Sequence, residues 1–258
     1  MDAAQVRKRA DEVLKKVDRP TEFTKGLQEA LRSCVDEEAT RNYLRIIPDA
    51  RRFYGVPKPI LGAIASEIGK FIQRNSTRAK GLLGLLWAEG SFEARQIAGK
   101  SLEKFGPNNP KVALDFVSSA VPDLDNWSVC DNLAMFGVEP IVYSHPEIVL
   151  PLTEKYVKSR NKWTRRFGVV TLRGYKRVKT TRKVFRILDR VMEDGDKDVR
   201  KAVSWVLREM TKRNPDEVAD FLVRWAKAHP NEHARWIVRD GMTKLPREKQ
   251  SRILSTLQ

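Results

Sequence analysis

Residues 196–231 read DKDVRKAVSWVLREMTKRNPDEVADFLVRWAKAHPN, and two helices can be drawn on them. Asp196 offers a side-chain oxygen to the unpaired N–H groups of a first helical turn. After it, Val199, Val203, Val206 and Met210 recur at three- and four-residue spacing, which is the period of one helical face. Asn214-Pro215 opens a second helix, because Pro at the first position lacks only an N–H that would be unpaired anyway. Val218, Phe221, Leu222 and Trp225 form its stripe, and Asn231 marks the next start. Outward from this stretch the pattern repeats. One series of candidate starts runs Asn75, Asn109, Ser144, Thr180 and Asn214, at intervals of 34, 35, 36 and 34. The other runs Ser91, Asp125, Asn161, Asp196 and Asn231, at intervals of 34, 36, 35 and 35. Asn109-Pro110 and His145-Pro146 repeat the Asn214-Pro215 entry, and helical stripes recur at Leu61, Ile64, Ile68, Phe71, Ile72 and at Val184, Ile187, Leu188, Val191. A helix pair every ~35 residues predicts an all-α, HEAT-like solenoid with a concave binding wall built from the second helix of each pair. An earlier pair, about 37–47 and 57–74, makes six. Residues 1–35 are expected to cap the array, residues 36–250 to form the repeats, and 1–258 to be one domain. No strand pattern and no low-complexity linker is visible.

Charge points to the partner. Lys and Arg number 49 against 33 Asp and Glu, a net +16 and a pI near 10.0. The excess is concentrated: residues 101–150 are net −5 and residues 151–213 net +13, with thirteen basic side chains and no acid between Lys155 and Leu188. So many uncompensated charges on amphipathic helices repel one another, and a phosphate backbone relieves that repulsion. No run reaches the ~18 apolar residues of a membrane span. The N-terminus has no apolar signal core, and two cysteines, Cys34 and Cys130, cannot build a disulfide framework. These features predict a soluble, monomeric, cytosolic protein, nucleoid-associated in a bacterium.

Helical faces single out a few side chains. At about 100° per residue, Trp205 lies roughly 130° from the Val199–Met210 stripe, beside Lys201, Arg208 and Lys212. In the helix after Asp125, the predicted stripe is Val129, Leu133 and Phe136, and Trp127 and Asp131, four residues apart, share the opposite face. Trp163 aligns with Phe167, Val170 and Gly174 and is expected in the core, flanked by Arg166 and Arg173. Trp127 and Trp163 each stand two residues after their assigned caps yet fall on different faces, so one cap is displaced. Other chemistry is excluded. Gly62 to Lys70 has the wrong spacing for a phosphate loop, and Phe71 stands where Ser or Thr is required. His229 and His233 are interrupted by Pro230 and lack a third ligand, so no metal or other cofactor is expected. His145 reads as a helix entry and Cys130 as a buried thiol.

Asp125-Asn126-Trp127-Ser128-Val129-Cys130-Asp131, His145-Pro146-Glu147, Asn161-Lys162-Trp163-Thr164-Arg165-Arg166, Val203-Ser204-Trp205-Val206-Leu207-Arg208-Glu209 and Asn214-Pro215-Asp216 resemble, in this order, the AlkD-type DNA alkylation repair proteins. Phe53-Tyr54-Gly55-Val56-Pro57 also matches, and the resemblance covers about residues 40–225. It implies a HEAT-like solenoid around duplex DNA, and excision of cationic N3- and N7-alkylpurines. It further implies a catalytic cleft of Trp127, Asp131 and Trp205, with Arg166 on a phosphate; Arg165, Arg173, Lys201, Arg208 and Lys212 are expected to contact the DNA backbone beside it. With no candidate lyase lysine beside Asp131, base release without strand cleavage is expected. Asn126 departs from relatives that carry an aromatic before the first Trp. Some relatives bind branched DNA without excising a base, so a non-catalytic DNA-binding protein and a protein-interaction scaffold are the alternative readings.

Overall fold

The structure is a computed structural model that describes residues 3–48, 52–178 and 181–257. The described residues are helical with short connections, and they divide into two compact units, 1–141 and 142–258. The first unit contains α1 (Ala3–Leu14), α2 (Pro20–Arg32), α3 (Glu37–Ile46), α4 (Lys58–Arg74), α5 (Ser76–Glu89), α6 (Phe92–Ser101), α7 (Pro110–Ala120) and α8 (Trp127–Asn132). A π-helical segment, Leu133–Val138, continues α8 into α9 (Glu139–Ser144), within which the division falls. The second unit contains α10 (Pro146–Tyr156), α11 (Lys162–Thr171), α12 (Thr181–Leu188), α13 (Lys197–Thr211), α14 (Pro215–Lys227), α15 (Glu232–Gly241) and α16 (Arg247–Thr256).

The second series of caps behaves as the sequence predicts, with one change. Ser91, Asn161, Asp196 and Asn231 each accept a backbone N–H of the following first turn, but Asn126, not Asp125, caps α8 through Val129 N. The caps therefore stand at 91, 126, 161, 196 and 231, a uniform interval of 35 residues. The first series works differently. Asn75, Asn109 and Asn214 share one backbone conformation (φ −132 to −134°, ψ 53 to 59°) and make no side-chain cap. Asn75 and Asn109 instead donate their amides backward, to Phe71 O (3.0 Å) and Phe105 O (3.3 Å). A single residue thus joins two helices by satisfying the end of the first, while Pro or a solvated turn opens the second. His145 rather than Ser144 precedes α10. Thr180 lies outside the described residues.

Stacking follows the repeat. In the first unit α4 packs between α1 and α6, and α6 in turn on α8 and the π segment. In the second unit α11, α13 and α15 stack in succession, with α14 on α16. α4 packs mainly on α1 and α6, not on the α3 expected from sequence. The predicted stripes are buried at Val199, Val203, Val206 and Met210 and at Val218, Phe221 and Leu222, whereas Trp225 is half-buried and donates to Asp189 Oδ1 (2.8 Å). Phe136 departs from its stripe. A π turn bonds i to i+5, so on the turn after Leu133 the buried positions are Gly137 and Val138, and Phe136 stays half-buried under the Lys100 ammonium (3.8 Å). Trp163 is also not core. Asn161 accepts from its N–H and from that of Thr164, which places Trp163 in the first turn beside a face of Thr164, Phe167, Gly168 and Thr171.

The Phe53–Pro57 stretch explains a buried acid. Glu93, fully buried on α6, accepts the N–H groups of Tyr54, Gly55 and Val56 at 2.7–3.2 Å. Gly55 makes that cradle with φ +95°, a backbone region in which L side chains are strained. Tyr43 donates to Val56 O (2.7 Å), and burial, with Glu93 nearby, pushes its phenol up to about 12.

Candidate functional site

Trp127 and Asp131 occupy the first and fifth positions of α8. Asn126 holds the start: its Oδ1 accepts Val129 N (3.0 Å) and its Nδ2 donates to Asp125 Oδ1 (2.8 Å). Asp125 in turn faces the Arg95 guanidinium (3.6 Å), which also donates to Asp123 O (3.1 Å) and lies 5.1 Å over the Trp87 ring. The loop before α8 is therefore clamped from α5 and α6, and the Asn126 side chain, 4% exposed, is spent on structure. Side chains tilt toward a helix N-terminus, so the residue four positions on leans under the first. Trp127 is 36% exposed while Asp131 is 8% exposed, an indole at the surface with a sheltered carboxylate one turn behind it. Beneath them α8 approaches α6 closely: a Cβ on Gly99 would stand 2.2 Å from Asn132 Oδ1. Cys130 is buried.

The remaining candidates belong to the second unit. Trp205 on α13 is half-buried and off the core stripe, as its angle predicts, and Arg173 carries its guanidinium 5.0 Å over the indole. Lys201, one turn before Trp205, is exposed. Arg208 pairs with Asp240 and reaches Ser204 Oγ (3.3 Å). Lys212 pairs with Glu209 (2.6 Å). Burial works against the Glu209 charge, but hydrogen bonds from Lys212 and Lys176 outweigh it and hold the carboxyl below its usual range. Arg166 is buried and donates to Asp198 O (2.6 Å) at the start of α13. Arg165 is bidentate on Asp194 (2.6 and 3.1 Å) and donates to Ser159 O and Arg160 O (3.0 Å each), so in the protein alone its guanidinium ties α11 to the connection before α13. Lys162 lies 4.4 Å over Trp163 and bonds Asp198 Oδ2 (2.9 Å), which raises its ammonium above the ordinary lysine value.

The 35-residue register shows what single helices did not. Five residues after each cap stand Gln96, Asp131, Arg166, Lys201 and Trp236, and nine after the Asp196 cap stands Trp205, on the same face as Lys201. Trp236, 40% exposed with the Arg200 guanidinium 6.0 Å from its ring, was missed from sequence. The signal that finds it is its offset from Asn231, equal to that of Asp131 from Asn126. Among the described residues no three His, Cys, Asp or Glu side chains gather to hold a metal ion, and no helix is long and apolar enough to cross a membrane.

The family model of the DNA alkylation repair enzymes matches residues 27–245. No curated protein matches the chain significantly. Among solved structures, AlkD2 of Streptococcus mutans is 21% identical with a TM-score of 0.57, over 70% of this chain and 89% of its own. An Enterococcus faecalis protein described as a predicted DNA alkylation repair enzyme is 16% identical with a TM-score of 0.70, over 83% and 97%. The alkylpurine DNA glycosylase AlkC of Pseudomonas fluorescens, solved bound to DNA containing an abasic site analog, is 13% identical with a TM-score of 0.56, over 97% of this chain and 66% of its own. At these identities the structures show a shared all-α, HEAT-like fold. The family model spans most of the chain, and the chain belongs to the DNA alkylation repair enzyme family.

Proposed function

We propose that this protein is a monofunctional DNA glycosylase that excises cationic N3- and N7-alkylpurines from duplex DNA, acting as a monomer on chromosomal DNA in the cytosol. The observation that carries this reading is the Trp127–Asp131 pair on α8, an exposed indole with a sheltered carboxylate one turn behind it. A purine alkylated on a ring nitrogen already bears a positive charge. When its N-glycosidic bond breaks, the bonding electrons leave with the base, which departs neutral and needs no strong general acid. Positive charge then develops on the deoxyribose. Asp131 stabilises that charge and orients the water that attacks the anomeric carbon; the water's proton passes to the carboxylate or to solvent. A unit charge pair at about 4 Å and an effective dielectric of about 20 is worth about 4 kcal/mol, roughly a thousandfold in rate. Trp127 and Trp205 lay their ring faces against sugar and backbone, with Arg173 stacked on Trp205. Arg166 holds a phosphate, and Arg165, Arg173, Lys201, Arg208 and Lys212 supply the surrounding positive field. Neutral bases are poor substrates because their leaving group lacks the charge.

The test is chromatography of free 7-methylguanine and 3-methyladenine released from methylated duplex DNA, with Asp131→Asn as control. Release that disappears in the variant, with DNA affinity retained, is the expected outcome. No release by the wild type, with salt-sensitive binding intact, would replace this reading with the non-catalytic DNA-binding one.

A further inference from the structure

A solvent-open hollow of about 630 Å³ lies in the second unit, where the segment after α11 meets α12 and the α13–α14 junction. Its walls carry Lys176, Arg177, Arg182, Lys183 and Arg213, against one carboxylate, Glu217. Two of these cations are engaged: Lys176 pairs with Glu209 (3.4 Å), and Arg177 lies over the Tyr143 ring (5.1 Å). Arg182, Lys183 and Arg213 have no carboxylate within ion-pair distance among the described residues. Glu217 accepts the Thr181 hydroxyl (3.4 Å).

A second observation is independent of charge. Asn214 lines the hollow, and its amide Nδ2 is buried without an acceptor. Asn75 and Asn109 occupy the same junction with the same backbone angles, and both of their amides donate to a carbonyl four residues back. Only at the junction surrounded by cations is the donor left over. An unpaired buried N–H is unfavourable, so this amide gains by turning toward an acceptor held in the hollow. The helix N-termini at Thr181 and Pro215 add positive potential to the same place.

We infer that this hollow binds a phosphate group, with Arg182, Lys183 and Arg213 meeting its charge and the Asn214 amide, turned toward the hollow, donating to one of its oxygens. Its volume is that of a small-molecule site, and its open mouth admits either a phosphate of a DNA strand or a small free phosphate. The first source rests on the DNA-binding reading above and adds an anchor outside the excision residues; the second does not depend on it.

The test compares the wild type with Lys183→Ala/Arg213→Ala, both at exposed positions, and with Lys244→Ala/Arg247→Ala, an equal loss of charge elsewhere on the same unit. One arm measures affinity for unmodified duplex DNA against salt; the other measures the rise in melting temperature caused by inorganic pyrophosphate. Each lost phosphate contact lowers the slope of log K against log salt by about 0.9. A slope shallower by about 1 in the first variant alone assigns the site to a DNA phosphate. A pyrophosphate shift present in the wild type and lost only in that variant, with the slope unchanged, assigns it to a small phosphate. Equal behaviour of the two variants in both arms overturns the inference. A wild type that fails to bind DNA overturns the DNA reading, and the pyrophosphate arm still decides the hollow.

Discussion

Two glycines in the first unit carry the same substitution to opposite outcomes. Gly84 lies on the exposed side of α5, and a Cβ there meets nothing within 4 Å. Gly99 lies buried on α6, and a Cβ there would stand 2.2 Å from Asn132 Oδ1 and 3.3 Å from the Leu133 Cα. Alanine gains about 0.5–1 kcal/mol over glycine inside a helix, so Gly84→Ala is expected to stabilise by that amount. At Gly99 the same gain meets an overpacking cost of about 1–3 kcal/mol. Asn132 is 9% exposed and its neighbour in the contact is backbone, so the π-distorted end of α8 must move as well as one amide. The net expectation for Gly99→Ala is a loss of about 1–2 kcal/mol, which separates the two variants by about 2 kcal/mol. Both residues report on one unit, so their urea midpoints are directly comparable. With a slope of about 2 kcal/mol per molar, the midpoints should differ by about 1 M. Because Asn132 follows Asp131, Gly99→Ala should also lower excision about tenfold or more while leaving DNA affinity nearly unchanged. If Gly99→Ala stabilises as much as Gly84→Ala, the close approach of α6 and α8 is not what fixes the carboxylate.

Other outcomes follow from single contacts. The Tyr43 phenol titrates near 10 unfolded and about 12 folded, so its contribution is complete below pH 10 and is lost as pH rises through 12. About 2–3 kcal/mol should disappear across that window in alkaline urea titrations, and Tyr43→Phe should remove most of that dependence. Asn126→Ala removes the α8 cap and should cost about 1–2 kcal/mol, whereas Asn126→Asp, which keeps the acceptor, should restore most of it; equal loss in both would mean the amide's bond to Asp125 matters more than the cap. Arg165→Ala leaves Asp194, whose side chain is 8% exposed, without its bidentate partner and should cost about 3 kcal/mol. If instead its stability is unchanged and only DNA affinity falls, Arg165 is a surface anchor and not a clamp. Trp236→Ala should weaken duplex binding several-fold, by loss of a stacking contact of about 1 kcal/mol or more, without changing the excision rate of bound substrate.

The helices and their period were legible in the chain because each depends on neighbours a few residues apart. Val199, Val203, Val206 and Met210 define a face through backbone geometry alone, and Asp196 caps α13 through N–H groups two and three residues on. Trp205 off its stripe and the Trp127–Asp131 spacing are consequences of the same local angle. Long-range contacts decided the rest. Asp125 and Asn126 are both acceptors, and the choice between them turns on Arg95, thirty residues earlier, which holds Asp125 and leaves Asn126 to the helix. The π turn that displaces Phe136 has no sequence rule behind it, but Gly137 lets Leu102 of the α6 end approach to 3.2 Å of where a Cβ would stand. Whether a basic side chain is a clamp or an anchor was equally invisible: Arg165 and Lys201 look alike in the chain, yet Asp194 occupies the first and solvent surrounds the second. Local hydrogen bonds and periodic burial are written in adjacent residues, whereas the partner of a long, charged side chain is set by which helix the fold brings within its reach.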